Sequence, residues 1–307
     1  MKCVLCRNDS FEELSDIDAK TSEYLRVSLC QRCGMIQQNP IPTAEDLKEY
    51  YSHNYRVDYK NSYTPKPKHV YRAGKAALQR LEFLKEEGIY EGRLLDIGAG
   101  GGEFVYLSGV MGYNSQGVDP NIGYSEYAKT EYNCKLTTGE LDCIQGKYDI
   151  ITLYHVLEHL PCPLHAFEKL YHLLNQAGTL SVEVPWIEAS DASPHNIFFK
   201  AHILYFSVDS LIACASKYFD VLKVDTNNNL SILFKAKQTI SETEYPSQES
   251  VRKLRDRLKS KGWLEYLFNG KGIQKPLRNF IRGFEESKAL NHQPKEILDN
   301  LLRKAGG

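Results

Sequence analysis

The sequence predicts an α/β protein: a mostly parallel sheet flanked by helices and ending in an antiparallel hairpin. Three observations carry this. From Arg93 onward, short apolar runs alternate with stretches of helical spacing, the pattern of strands joined by crossover helices. The first run ends in Gly98-Ala99-Gly100-Gly101-Gly102, a turn that opens directly into a helical stretch. The last two runs, 221–226 and 230–236, are separated only by Asn227-Asn228-Asn229, which pairs them as a hairpin.

Taken in order, the chain begins with two short knuckles, Cys3-x2-Cys6 and Cys30-x2-Cys33, 23 residues apart. Each knuckle aims two thiolates at one point, so a tetrahedral cation can tie the two turns together. A four-cysteine site of this kind is closed, and its zinc stabilises a fold rather than doing chemistry. Gly34 follows the second knuckle, where a left-handed backbone is often needed. Cys134, Cys143, Cys162 and Cys214 have no such spacing and read as small buried hydrophobes.

Residues 37–43, Gln-Gln-Asn-Pro-Ile-Pro-Thr, read as a turn-rich break. A short helix capped by Thr43 follows over 44–51, and a tyrosine-rich linker over 52–67. An amphipathic helix is expected over 68–87. Strands are expected at 93–97, 115–119, 135–137, 148–154 and 179–184, with helices at 103–111, 122–132 and 164–174 between them. With the hairpin this makes a seven-stranded, Rossmann-like sheet. Residues 240–305 read as helices broken at Gly270, Gly272, Pro276 and Pro294, a peripheral, lid or oligomerisation element. The expected organisation is a zinc module at 1–45, a linker at 46–75, a cofactor-binding domain at 76–239 and a helical extension at 240–307.

Composition narrows the function classes. Hydrophobic residues make up 42% and charged residues 25% of the 307, a globular balance. No apolar run reaches the roughly 18 residues of a membrane span, and the start Met1-Lys2-Cys3 reads as leaderless, so a cytoplasmic protein is expected. A net charge of -1 argues against a dedicated nucleic-acid binder. Residues 241–307 are nevertheless basic, with 14 Lys and Arg against 9 Asp and Glu.

The glycine turn carries the chemistry. Asp96 lies two residues before Gly98, and the next strand ends in Asp119-Pro120, which places a carboxylate where it can take both hydroxyls of a ribose. Counting the dinucleotide fingerprint from Gly98, its last glycine position holds Glu103. A carboxylate at Asp96 repels a pyrophosphate but attracts the ammonium of an amino-acid moiety. S-adenosylmethionine therefore fits better than NAD, and the terminal hairpin likewise departs from the all-parallel dehydrogenase sheet. The third strand leads into Glu140-Leu141, within reach of an adenine.

The segments 96–104, Asp119 and Tyr148-Asp149-Ile150-Ile151-Thr152-Leu153-Tyr154-His155-Val156-Leu157-Glu158-His159-Leu160 resemble the successive motifs of class I S-adenosylmethionine-dependent methyltransferases, over roughly residues 70–236. Cys30-x2-Cys33-Gly34, Asn39-Pro40-x-Pro42-Thr43 and Tyr50-Tyr51 are similar to the zinc-bearing branch, some of whose members methylate deoxysugars on nucleotides, others acting in polysaccharide or natural-product pathways. The resemblance implies Asp96, Gly98 and Gly100 at the methionine end, Asp119 at the ribose and Glu140 with Leu141 at the adenine, and Ala99 and Pro120 are further candidate cofactor residues. Tyr154 completes the candidate cofactor site. It also implies a small polar acceptor, a sugar or sugar-nucleotide. The sugar C-methylating members are longer than this chain.

Two readings stay open for the residues after the fourth strand. His155 or His159 is a general base oriented by Glu158, or His155, Glu158 and His159 hold a divalent ion, as a related set does in ubiquinone-pathway O-methyltransferases. His202 and Tyr205, in the long connection after the fifth strand, are expected to face the acceptor. The alternatives to a sugar methyltransferase are an RNA methyltransferase that uses the zinc module as a clamp and a non-catalytic scaffold that binds a partner. Association through the C-terminal helices is a further expectation.

Overall fold

The structure is a computed structural model that describes residues 2–43, 45–46, 65–193, 196–227, 229–270 and 272–305. Most of the expected 44–51 helix and 52–67 linker, with Tyr50-Tyr51, lies outside the described residues. Thr43 does carry capping bonds: its Oγ1 accepts from Asp46 N at 3.1 Å, and Asp46 Oδ2 accepts from Thr43 N at 2.8 Å.

A four-stranded sheet runs in the order β1 (Phe11–Ile17), β2 (Tyr24–Cys30), β3 (Ile36–Gln38) and β9 (Leu204–Tyr205). Residues 36–38 are therefore a buried strand, not a turn. Gln37 is fully enclosed, and its Oε1 accepts from Val4 N at 3.0 Å, so a polar pair hid the strand from a hydrophobic reading.

A seven-stranded sheet contains β4 (Arg93–Ile97), β5 (Asn114–Asp119), β6 (Leu136–Thr138), β7 (Tyr148–Tyr154), β8 (Leu174–Val184), β10 (Phe219–Asp225) and β11 (Leu230–Ala236). Its order is β10-β11-β8-β7-β4-β5-β6. The β4/β5, β4/β7 and β5/β6 pairs are parallel and β10/β11 is antiparallel, the mixed sheet that the alternation and the Asn turn predict.

The helices are α1 (Pro67–Lys85), α2 (Glu103–Val110), α3 (Ile122–Tyr132), α4 (Pro163–Leu173), α5 (Val208–Ala215), α6 (Gln248–Ser260), α7 (Trp263–Phe268), α8 (Lys275–Ser287) and α9 (Pro294–Ala305). None among the described residues is long and apolar enough to cross a membrane. Pro276 does not break the chain. It is the second residue of α8, where its missing N–H has no intrahelical partner to lose.

The chain divides into two compact units interleaved in sequence. One comprises 1–53, 154–172 and 182–275. Here Val251 and Leu254 of α6 pack on Leu25, Val27, Leu29, Ile36, Ile187 and Tyr205. Gly34 sits at φ +71° below them, and a Cβ there would come 3.4 Å from Leu254. Part of the basic tail is neutralised in this unit: Glu12 pairs with Arg255 at 2.5 Å and with Lys259 at 3.1 Å.

The other unit comprises 54–153, 173–181 and 276–307. Glu286 of α8 pairs with Arg72 of α1 at 2.6 Å, and Asp299 of α9 accepts from Tyr106 Oη at 2.5 Å. The glycine turn is packed from below. Gly102 stands at φ +85°, and a Cβ there would lie 2.7 Å from the Cβ of Ala128, which is clustered with Ala99, Val105 and Leu136. Gly102→Ala is therefore expected to cost about 1–3 kcal/mol in a denaturant melt, because both backbone and space oppose it. A wild-type midpoint would contradict this packing.

Candidate active site

The carboxyl ends of β4 and β5 build one constellation. Gly98 and Ala99 donate their N–H groups to Val118 O at 2.8 and 3.1 Å, which folds the turn over the end of β5. Asp119 Oδ2 accepts from Gly100 N at 2.9 Å and Oδ1 from Asn121 N at 2.8 Å. An ionised carboxylate has about four acceptor positions, so two remain for a diol. Burial raises the Asp119 pKa, partly offset by those two backbone donors.

Asp96 is buried on β4 opposite Thr152 of β7, whose Oγ1 donates to it at 2.7 Å. Burial outweighs that bond and pushes the carboxyl up to about 7. A carboxylate in this state gains from a cationic ligand. Glu103, the first residue of α2, is buried as well and pushed up to about 7 by desolvation. Gly98 and Gly100 have positive φ, Ala99 is buried and Pro120 is exposed. Glu140 is exposed, and Leu141 opens a 3-10 turn, Leu141–Cys143.

The second constellation begins directly after β7, which ends in the buried Tyr154. His155 adopts φ +59°, an uncommon conformation for a residue other than glycine. The backbone is held there by His155 N donating to Glu183 O at 2.8 Å. The ring is held too: Nδ1 lies 3.3 Å from Glu158 Oε1, and Nε2 lies 3.1 Å from Glu183 Oε1 and 3.3 Å from Asn229 Nδ2. Desolvation opposes charging of His155, but the bonds to Glu158 and Glu183 prevail and raise its pKa to about 9.

Glu158 sits in the 3-10 turn Leu157–His159 and is only 1% exposed. Its pKa is lowered: desolvation works against ionisation, and the bond to the charged His155 overrides it. His159 Nε2 and His202 Nε2 stand 3.8 and 4.0 Å from Glu158 Oε1. His159 Nδ1 lies 2.7 Å from Ala201 O and, facing a carbonyl, must carry the proton. Desolvation holds His202 down at about 4, so the ring is neutral.

The N-terminal sheet fixes the segment that carries His202. Gln38 Nε2 donates to the carbonyls of Lys200 and His202, both at 2.9 Å, and Asp18 Oδ2 accepts from Lys200 N at 2.5 Å. Ile203 N donates to Glu158 O at 2.9 Å. Tyr205 is buried in β9, and its hydroxyl bonds both N and O of Phe199, at 3.0 and 3.1 Å. The structure thus occupies Tyr205 as a clamp on its own connection.

A family model described as methyltransferase domain matches residues 68–222, half of the chain. The chain belongs to the methyltransferase-domain family. It is 27% identical over 116 residues to the ubiquinone biosynthesis O-methyltransferase of Actinobacillus pleuropneumoniae serotype 7 (strain AP76), a match covering 33% of this chain and 50% of that protein. The chain thus spans about half the length of the curated relative it matches. Similar solved structures include an S-adenosylmethionine-dependent methyltransferase of Thermotoga maritima (18% identity, 62% of this chain and 98% of that one, TM-score 0.45). Another is the magnesium protoporphyrin IX methyltransferase of Synechocystis PCC 6803 with bound SAH (17%, 63% and 99%, TM-score 0.44).

In this methyltransferase-family chain the four knuckle cysteines converge. All are buried and unpaired, with Cys3 Sγ 3.6 Å from Cys33 Sγ and Cys6 Sγ 3.5 Å from Cys30 Sγ. Four sulfurs bonded to one zinc at about 2.3 Å stand about 3.8 Å apart, so the donor set fits that ion. The remaining cysteines do not all behave as expected. Cys214 is buried and Cys134 half-buried, but Cys143 and Cys162 are exposed, because they fall in short turns at the helix and strand ends.

Sequence reasoning missed Thr152, Glu183, Asn229, Gln38 and Asp18, the residues that hold the others in place. Thr152 was within reach, since the parallel register sets it beside Asp96. Nothing in sequence spacing links Gln38 or Asp18 to His202.

Proposed function

We propose that this chain transfers the methyl group of S-adenosylmethionine to a small polar acceptor, a sugar or sugar-nucleotide. In this reading the Asp96–Gly102 turn takes the methionine end, Asp119 the ribose and Glu140-Leu141 the adenine edge. The observation that carries it is the pair of buried carboxylates at the glycine turn, one anchored by the backbone N–H of Gly100, the other poised for a cation. A pyrophosphate would meet two negative charges there. The four cysteines hold structural zinc, within the four-part organisation set out from the sequence.

Methyl transfer is an in-line displacement at the sulfonium methyl, so the chain has to align the acceptor, exclude water and take up a proton. That proton leaves at the Glu158, His159 and His202 cluster. His155, already held between Glu158 and Glu183, serves as an ion-pair partner that fixes Glu158. Tyr205 positions the connection. The sugar class rests on the family resemblance of the cysteine module. Glu12 holds Arg255 and Lys259, which speaks against a basic tail kept free for RNA phosphates.

Calorimetry with S-adenosylmethionine tests the reading. Asp119→Ala is expected to weaken binding by roughly 100-fold, the loss of two charge-assisted hydrogen bonds. An unchanged isotherm would remove the ribose assignment. His159→Ala is expected to abolish acceptor-dependent release of S-adenosylhomocysteine while cofactor affinity stays as in the wild type.

A further inference from the structure

We infer that Glu158, His159 and His202 form a binding site for a first-row divalent metal ion. Each offers one ligand atom, and the three atoms lie within 4.8 Å of one another. Glu158 is enclosed, and beyond the 3.3 Å approach of His155 Nδ1 to Oε1 neither of its carboxylate oxygens receives a well-directed hydrogen bond. Burying an ionised carboxylate without such bonds is costly, and native structures resolve the cost with a cation or an ordered donor.

The imidazole orientations say which. His159 Nδ1 gives its proton to the Ala201 carbonyl, so the lone pair of Nε2 is turned toward Glu158 Oε1 at 3.8 Å. That separation is too long for a hydrogen bond, and it sets a lone pair against a carboxylate. His202 Nε2 approaches the same oxygen at 4.0 Å. A positive ion between these atoms converts the mutual repulsion into three bonds. Metal-ligating histidines characteristically give their other ring N–H to a carbonyl or carboxylate, as His159 does. Bonds of about 2.1 Å put adjacent ligands about 3.4 Å apart, so the two Glu158 to histidine separations close by about half an ångström.

His155 is outside the ligand set. Its Nδ1 faces Glu158 and its Nε2 faces Glu183, both carboxylates, so no lone pair is turned to the centre. Two imidazoles with one carboxylate select zinc, iron, cobalt or manganese over magnesium or calcium. Three protein ligands leave coordination positions open, unlike the closed four-thiolate set, and an open position takes water or an acceptor hydroxyl and makes it more acidic. The backbone bonds from Ile203 to Glu158 and from Gln38 to His202 support the ligands from behind. The site stands on donor geometry and does not depend on the methyl-transfer reading.

Cobalt(II) titrated into the whole chain carrying one zinc, any second and weaker-held zinc having been removed with a mild chelator, tests it. One equivalent is expected to bind with visible d–d absorption and without the sulfur-to-cobalt charge-transfer band that exchange into the cysteine site would produce. His202→Gln and Glu158→Gln are expected to weaken this binding at least about tenfold. His292→Gln, whose ring pairs with Glu296 elsewhere, should leave it unchanged. Folded wild-type protein that gains no such absorption, or shows only the sulfur band, overturns the site. Equal affinity in wild type and His202→Gln overturns it too, whatever the folding of the Glu158 variant. Cofactor calorimetry on the same samples reads the methyltransferase assignment separately.

Discussion

Cys30→Ser, or prolonged exposure to a strong chelator, is expected to unfold the N-terminal sheet and everything seated on it. Cys30 ends β2 fully buried, with Cys6 Sγ at 3.5 Å, so a serine there leaves an incomplete cation site inside a small core. Structural zinc in small modules supplies about 10–16 kcal/mol of apparent binding energy, which is also folding energy. The loss should spread. β9 pairs with β3, and α6 packs on Val27, Leu29 and Ile36, so residues 196–205 and α6 lose their support. Because Gln38 and Asp18 hold the segment carrying His202, turnover should fail along with the fold. Metal content, far-ultraviolet dichroism and the fluorescence of the two tryptophans, Trp186 and Trp263, measure the three stages. A chelated protein that keeps all its secondary structure would show that the thiols need no cation.

Asp96→Asn is expected to move stability and cofactor affinity in opposite directions. Burial lifts the Asp96 carboxyl to about 7, against an ordinary value near 4 when the chain unfolds. The folded protein therefore holds a proton that the unfolded chain has already released. Between about pH 4 and 7 the free protein loses stability as pH rises, by an amount on the order of a few kcal/mol by pH 8. Asparagine escapes that penalty and can still accept from Thr152, so the variant should melt higher than wild type at pH 8 without ligand. The same change removes the charge that meets the ammonium of the methionine end. Affinity for S-adenosylmethionine should fall roughly 10- to 100-fold, and its rise between pH 6 and 8 should flatten. A variant with wild-type affinity and an unchanged pH slope would show that the methionine end binds elsewhere.

The parallel sheet, its hairpin and the glycine turn were legible because each depends on local signals: apolar periodicity, turn residues and glycines at positive φ. The positions of Asp96 and Asp119 near the carboxyl ends of β4 and β5 were legible for the same reason. β3 was not, because Gln37 and Gln38 are polar by name and buried by virtue of partners distant in sequence. Pro276 misled for a similar reason: proline breaks a helix only after its first turn, and the sequence does not mark where that turn begins.

Residue identity alone determined the kinds of chemistry present: four thiols at knuckle spacing, two acids around a glycine turn, and histidines beside Glu158. What each histidine does was decided only by the tertiary structure. His155 lies between two carboxylates, while His159 and His202 bring their Nε2 atoms to 3.8 and 4.0 Å from Glu158 Oε1. A side chain's protonation and lone-pair direction depend on which groups lie within a few ångströms. In this chain those neighbours come from segments at 38, 158, 183, 202 and 229, and folding is what brings them together.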